Sequence, residues 1–237
     1  MPNTTTTPMT NPAPPYDLTL FDLDGTLIET DSDHAFGEFM VRLGWADGAA
    51  WRERNDAFYA DYQAGRLDLA AYVAFTTAAW RDRPADELAA ARARFVREVI
   101  APTMHPAALA LVRAHQQAGD LVAIVTATNE FVTRPIADAF GVSALLAVEL
   151  ETDTGGRVTG AIRGTPTYQA GKVVRVQQWL AAQNRAWGDF DRITVYSDST
   201  NDLPLLAQAT DPVATNPSPA LESVARDRGW RLLRLFE

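Results

Sequence analysis

"YDLTLFDLDGTLIETDSDH", Tyr16–His34, opens as an apolar strand and then sets Asp22, Asp24, Glu29, Asp31 and Asp33 within twelve residues. Carboxylates crowded at a strand end repel one another, and burying each without a partner is costly. The stretch therefore calls for a cation at that spot. Its first part, "DLTLFD" over 17–22, is apolar on both faces, as in a central parallel strand covered by helices.

Outward from this stretch the chain changes character. From about 34 to 100 it is rich in Ala, Arg, Glu, Tyr and Trp at helical spacing, with Phe36, Phe39, Met40 and Leu43 on one stripe. Asp47 is the expected cap of a second helix running to Gln63, with Gly65 past its end. "LDLAAYVAFTTAAW" and "PADELAAARARFVREVI" supply a third and a fourth, the latter with Pro84 near its first turn. After Pro102 strands and helices alternate: helix 106–118 ending at Gly119, strand 120–128, helix 130–140, and a strand near "SALLAVEL". A hairpin around "ETDTGGRVTG", helix 171–184, strand 192–198, helix 202–209 and strand 212–216 complete the series. Repeated strand–helix units predict an α/β fold with a doubly wound parallel sheet. The expected organisation is a disordered tail at 1–15, a core from 16–30 and 103–237, and a small helical-bundle cap over 31–102. An insertion directly after the first strand would hang over the carboxyl edge, where open α/β sheets bind ligands.

Bulk properties exclude several classes. At 237 residues and 47% apolar the chain has globular composition. Its net charge of −9 argues against nucleic acid or an anionic membrane as partner. Residues 51–100 balance eight Arg against eight Asp and Glu, so the helical block offers no basic face. There is no cysteine, which fits a reducing compartment. "MPNTTTTPMTNPAPP" lacks the basic start and apolar centre of a signal peptide, and no apolar run reaches the ~18 residues of a membrane span. The expectation is a soluble, cytoplasmic protein.

Four groups sit at predicted strand ends or helix starts: Asp22 with Asp24, Thr126, Lys172, and Asp198 with Asp202. The predicted topology brings them to one sheet edge. Several carboxylates around one point suit a hard divalent cation, Mg²⁺ before others. A hydroxyl, an ammonium and helix-start N–H groups suit a tetrahedral oxyanion. Metal, phosphate and a free carboxylate together form the kit for phosphoryl transfer through an aspartyl phosphate. Lys172 is the only lysine among the 21 Lys and Arg residues, which favours a compact point-charge role. Plainer accounts exist for each group alone. "DG" at 24–25 reads as a turn, Thr126 as a strand residue, Asp198 and Asp202 as caps, and His34 as a first-turn surface residue.

"DLDGT" at 22–26, "VTATN" at 125–129, "GK" at 171–172 and "SDSTND" at 197–202 resemble, in order, the four motifs of the haloacid dehalogenase superfamily. The helical insertion is similar to the cap of its phosphoserine-phosphatase-like branch. The resemblance implies that Asp22 attacks phosphorus and that Asp24 acts as general acid and then general base. It implies phosphate contacts from Thr126, Lys172, Asn201 and the Ala127 amide. It further implies Mg²⁺ held by Asp22, the Asp24 carbonyl and Asp198, with Asp202 in support. Next to Mg²⁺ and Lys172, Asp22 is expected to stay ionised and Asp24 to carry a raised pKa. Phosphoserine phosphatases place a Glu at the Asp31 position to meet the substrate amine, and a Gly at that of Ala127. The implied substrate is thus a small amine-bearing phosphomonoester, with histidinol phosphate, phosphoserine and phosphoethanolamine as candidates. The rival classes are a receiver-type signalling domain, a dehalogenase and a non-catalytic binding protein; a proton donor such as Asp24 has no task in the first two.

Overall fold

Every side chain from Leu18 to Phe21 is fully buried, and alternation sends them to two different apolar layers. The computed structural model describes residues 17–236, so the expected tail at 1–15 lies outside the described residues. The strands are β1 (Asp17–Phe21), β2 (Leu121–Asn129), β3 (Ala144–Val148), β4 (Leu150–Thr152), β5 (Val158–Ile162), β6 (Arg192–Ser197), β7 (Asp211–Thr215) and β8 (Arg231–Leu233). Six of them form a parallel sheet in the order β3-β2-β1-β6-β7-β8. β4 and β5 pair as the expected antiparallel hairpin.

Helices α1 (Ser32–Arg42), α2 (Gly48–Gln63), α3 (Leu69–Ala78) and α4 (Ala85–Phe95) stand between β1 and α5 (Pro106–Ala118). A π-helical turn, Val96–Ile100, extends α4. Beyond them lie α6 (Glu130–Ala139), α7 (Ala170–Ala181), α8 (Leu203–Leu206) and α9 (Pro219–Asp227). Leu18 and Leu20 pack with Val176, Leu180 and Leu221 of α7 and α9 on one face of the sheet. Phe21 packs with Val112 and Ile136 of α5 and α6 on the other. The sheet is doubly wound, and the strand order reverses between β1 and β6. Ligands of such sheets bind outside the strand ends at this crevice.

The helical insertion is tied to the second layer. Phe36 and Phe39 of α1 and Phe95 of α4 form an aromatic cluster, and Trp80 stacks on Phe131 of α6 with centroids 4.0 Å apart. Arg81 Nη1 donates to the Thr159 carbonyl on β5 at 2.7 Å, so the hairpin also grips the insertion. Side-chain caps define several starts: Asp31 for α1, Asp68 for α3, Asn129 for α6 and Ser218 for α9.

Three local expectations need correction. Asp47 occupies the N-cap position of α2, but its side chain makes no capping bond. The helix expected over 202–209 is shorter, because a 3₁₀ turn, Thr200–Asp202, precedes α8 and Pro204 sits in the first turn of that helix. The strand series read from the sequence ended at 216, whereas α9 and β8 follow it and extend the sheet by one edge strand. Ser218 with Pro219, a capping hydroxyl followed by proline at the first helical position, was the available signal.

Trp80 is 2% exposed. Trp80→Ala should lower the unfolding free energy by about 3–5 kcal/mol, read as a shift of the denaturant midpoint.

Candidate active site

Asp22 continues the ladder of β1, its N–H donating to the Tyr196 carbonyl at 2.9 Å, so its side chain leaves the sheet edge in a fixed direction. Lys172, on the first turn of α7 and 1% exposed, donates to Asp22 Oδ1 at 2.9 Å and to Asp202 Oδ2 at 2.7 Å. Ser197 Oγ donates to the same Asp202 oxygen at 2.8 Å. Burial alone would lower the Lys172 pKa, but the Asp202 and Asp22 charges outweigh it and hold the pKa above the ordinary lysine value. Gly171 lets α7 start this close, since a Cβ there would collide with the Pro166 carbonyl oxygen.

The loop after β1 is pinned from two sides. Gly25 has φ +72°, and a Cβ on it would lie 2.5 Å from Asp198 Oδ2. Thr26 Oγ1 donates to Asp198 Oδ1 at 3.2 Å. Asn216, just past β7, donates from Nδ2 to the carbonyls of Gly25 at 3.0 Å and Thr26 at 3.1 Å. Asp24 accepts from the Ser32 N–H at 2.7 Å and from Thr128 Oγ1 at 3.0 Å. Thr126 Oγ1 is farther from it, at 3.5 Å, and also accepts from the Thr128 N–H.

The structure thus gathers Asp22, Asp24, Thr126, Lys172, Asp198 and Asp202 at one edge, as expected from the sequence. Asn201 is near, but its amide donates to the Tyr62 carbonyl of α2 at 3.0 Å, and its Oδ1 accepts from Gln169 Nε2 at 3.3 Å. Gln169 also donates to the Gly65 carbonyl at 3.0 Å, so both residues hold the end of α2 against the sheet edge. Asp31 lines the cavity while its Oδ1 caps α1 through the His34 N–H at 2.8 Å. His34 pairs with Asp56 at 2.7 Å, the surface role its position suggested. Sequence reading missed Thr26, Thr128, Ser197 and Asn216. None of the four carried a signal of its own in the sequence; in the structure Asn216 lies at φ +45°, a backbone region in which Asn is over-represented.

One ammonium does not neutralise this cluster. Burial raises the Asp22 pKa even against Lys172, where an unassisted reading of the pair predicts a lowered one. Burial, then the Asp31 charge, pushes Asp24 up to about 7. Burial raises Asp202 to about 6, with Lys172 opposing. Asp198 is pushed well above the carboxylate range by burial and then by Asp22 and Asp202. Asp22 Oδ2 is buried with no hydrogen-bond partner. Among the described residues no three His, Cys, Asp or Glu side chains form a metal-holding group by themselves. The expected ligand set asks for less, since it uses the side chains of Asp22 and Asp198 and the Asp24 carbonyl. That all-oxygen set, with one orphaned buried oxygen and uncompensated negative charge, fits a hard divalent cation.

Phe58, Tyr59 and Tyr62 of α2 and Tyr72 of α3 roof a cavity whose floor includes Asp22, Asp24 and Thr126. The space is tightly walled by these side chains, which limits it to a small ligand. The insertion's arginines are committed elsewhere: Arg52 pairs with Glu38 at 2.8 Å, Arg66 with Asp61 at 2.7 Å, and Arg54 lies over the Phe58 and Phe75 rings.

Lys172→Met leaves two buried carboxylates without their cation and should cost about 3–5 kcal/mol in chemical denaturation at neutral pH. The deficit should shrink as the pH falls. The unpaired carboxyls then have folded-state pKa values above their unfolded ones, so protonation favours the folded chain.

The match to known proteins covers the same elements. Residues 19–207 match the family model described as haloacid dehalogenase-like hydrolase. A histidinol-phosphatase of Neisseria meningitidis is 41% identical over 216 residues, which is 91% of this chain and 97% of that protein. A protein of unknown function from Bordetella pertussis, solved by crystallography, is 48% identical with a TM-score of 0.88, covering 94% of this chain and 100% of that one. A substrate-bound phosphoserine phosphatase shares the fold at a TM-score of 0.65 and 18% identity, with 91% of each chain covered. A family match of that extent, over a fold of that likeness, decides the question of kinship: the chain belongs to the haloacid dehalogenase-like hydrolases.

Proposed function

We propose that this hydrolase is a Mg²⁺-dependent phosphomonoesterase that works through an aspartyl phosphate on Asp22 and acts on a small amine-bearing phosphate ester. The observation that carries the reading is the pair of unlike carboxyls on one loop. Asp22 is held by Lys172 with one oxygen free of partners, while Asp24 is pushed up to about 7, a value suited to moving protons near neutrality.

In the first step an Asp22 oxygen bonds to phosphorus as the bond from phosphorus to the ester oxygen breaks. Asp24 delivers its proton to the departing oxygen, and the alcohol leaves. In the second step Asp24, now a carboxylate, takes a proton from water as that water attacks the phosphorus. The bond from Asp22 to phosphorus breaks, releasing inorganic phosphate and restoring both carboxyls. Ser32 N–H and Thr128 Oγ1 hold Asp24 in line for both transfers. Lys172, Thr126 and the Ala127 N–H hold the phosphoryl oxygens, and Lys172 also screens Asp22 against their charge. Asn201 gives one amide N–H to the Tyr62 carbonyl and keeps the second to join them. Asp22, the Asp24 carbonyl and Asp198 would hold Mg²⁺, which would supply charge to neutralise the phosphoryl oxygens.

Asp31, at the hinge into α1 and facing the cavity, is the acceptor for the substrate amine. The name of the Neisseria relative favours histidinol phosphate among the candidates, and cytoplasmic amino-acid metabolism is the fitting setting.

Asp22→Asn should abolish Mg²⁺-dependent release of phosphate, and Asp24→Asn should slow it by roughly 10²–10⁴-fold. Chelation by EDTA should stop turnover, and added Mg²⁺ should restore it. Asp31→Ala, assayed on a panel of phosphate esters, should lower kcat/KM more for amine-bearing than for amine-free members. Equal losses across the panel would contradict the role of Asp31.

A further inference from the structure

A fourth carboxylate of the cavity has no task in this chemistry. Asp33 lies in the first turn of α1, is 7% exposed and lines the same space as Asp24 and Asp31. An acidic residue at a helix start is ordinary, but one buried beside two other carboxylates is not. None of the ion pairs of the described residues involves Asp33. Its partners are neutral: Asn129 Nδ2 donates to Oδ1 at 3.4 Å, and the Tyr72 hydroxyl hydrogen-bonds to the carboxyl. A carboxylate offers about four acceptor sites, so these two leave room for a ligand. That a ligand belongs in this cavity is indicated independently by the buried, unpartnered Oδ2 of Asp22, which lines it too. Phe58, Tyr59, Tyr62 and Tyr72 give flat walls that suit a ring or a cation. No Lys, Arg or His is among the described residues lining the space, so a substrate carboxylate would meet only like charge.

We propose that Asp33, oriented by Tyr72, is a specificity-determining acceptor for a second N–H group of the substrate. The site then selects phosphate esters that carry, besides the amine met by Asp31, a flat nitrogenous ring and no carboxylate. The inference rests on the phosphatase reading above and deepens it.

Three probes separate the parts: histidinol phosphate (amine and ring), phosphoethanolamine (amine alone) and phosphoserine (amine and carboxylate). The unaltered chain should show kcat/KM highest on the first and lowest on the third. Asp33→Asn should cut the ratio of kcat/KM on histidinol phosphate to that on phosphoethanolamine by about tenfold or more, mainly through KM. Tyr72→Phe should move the ratio in the same direction by less, and it decides the matter if Asp33→Asn does not fold. A ratio unchanged in a folded variant overturns the role of Asp33 while leaving the phosphatase reading intact. If the unaltered chain hydrolyses none of the three faster than p-nitrophenyl phosphate, the amine-ester reading itself falls, and this inference with it.

Discussion

Among the described residues, the ammonium group of Lys172 is the one cation paired with the buried carboxylates at the switch point of the sheet. It reaches Asp22 at the end of β1 and Asp202 after β6, two segments that the chain order separates by 180 residues but the strand order makes neighbours. Removing one partner of such a buried group leaves uncompensated charge, which is far costlier than losing a surface ion pair. Around this contact the local backbone has little choice. Gly171 must be glycine for α7 to begin there, Gly25 must be glycine for the loop to pass Asp198, and Asn216 clamps that loop by two carbonyls. The packing of α7 through Val176 and Leu180 against β1 holds the lysine in place from behind.

The charge balance supports the proposed divalent cation. One lysine serves two carboxylates, and burial still raises the pKa of each of them and of Asp198. The proposed divalent ion would reverse that trend near Asp22 and Asp198 more than near Asp24, whose neighbours are Ser32, Thr128 and Asp31. The two carboxyls of "DLD" therefore part in character although only Leu23 stands between them. On the proposed mechanism, one attacks and the other transfers protons.

Much of this was legible beforehand, for a physical reason. In a doubly wound parallel sheet, a polar residue at a strand's carboxyl end is set at one edge by register, as in the pairing of Phe21 with Ile124 and with Tyr196. Asp22, Thr126 and Asp198 could thus be brought together on paper, and Lys172 stood out as a lone lysine. Contacts made sideways between distant loops left no periodic trace. The clamp from Asn216, the hydroxyl of Thr128 on Asp24 and the bond from Asn201 to the Tyr62 carbonyl all depend on how loops and helices pack. The same holds for the aromatic roof, whose residues read equally well as core. Asp47 shows the converse, a favourable residue type at a cap position whose side chain makes no bond there.

The central claim is that Asp22 itself takes the phosphoryl group. Acid quenching during steady-state turnover, followed by proteolysis and mass spectrometry, tests it directly. The account predicts a phosphoryl increment on the peptide holding Asp22, removable by hydroxylamine and missing when Asp22 is replaced by Asn. Turnover with that peptide unmodified, or with the increment on another residue, would contradict it.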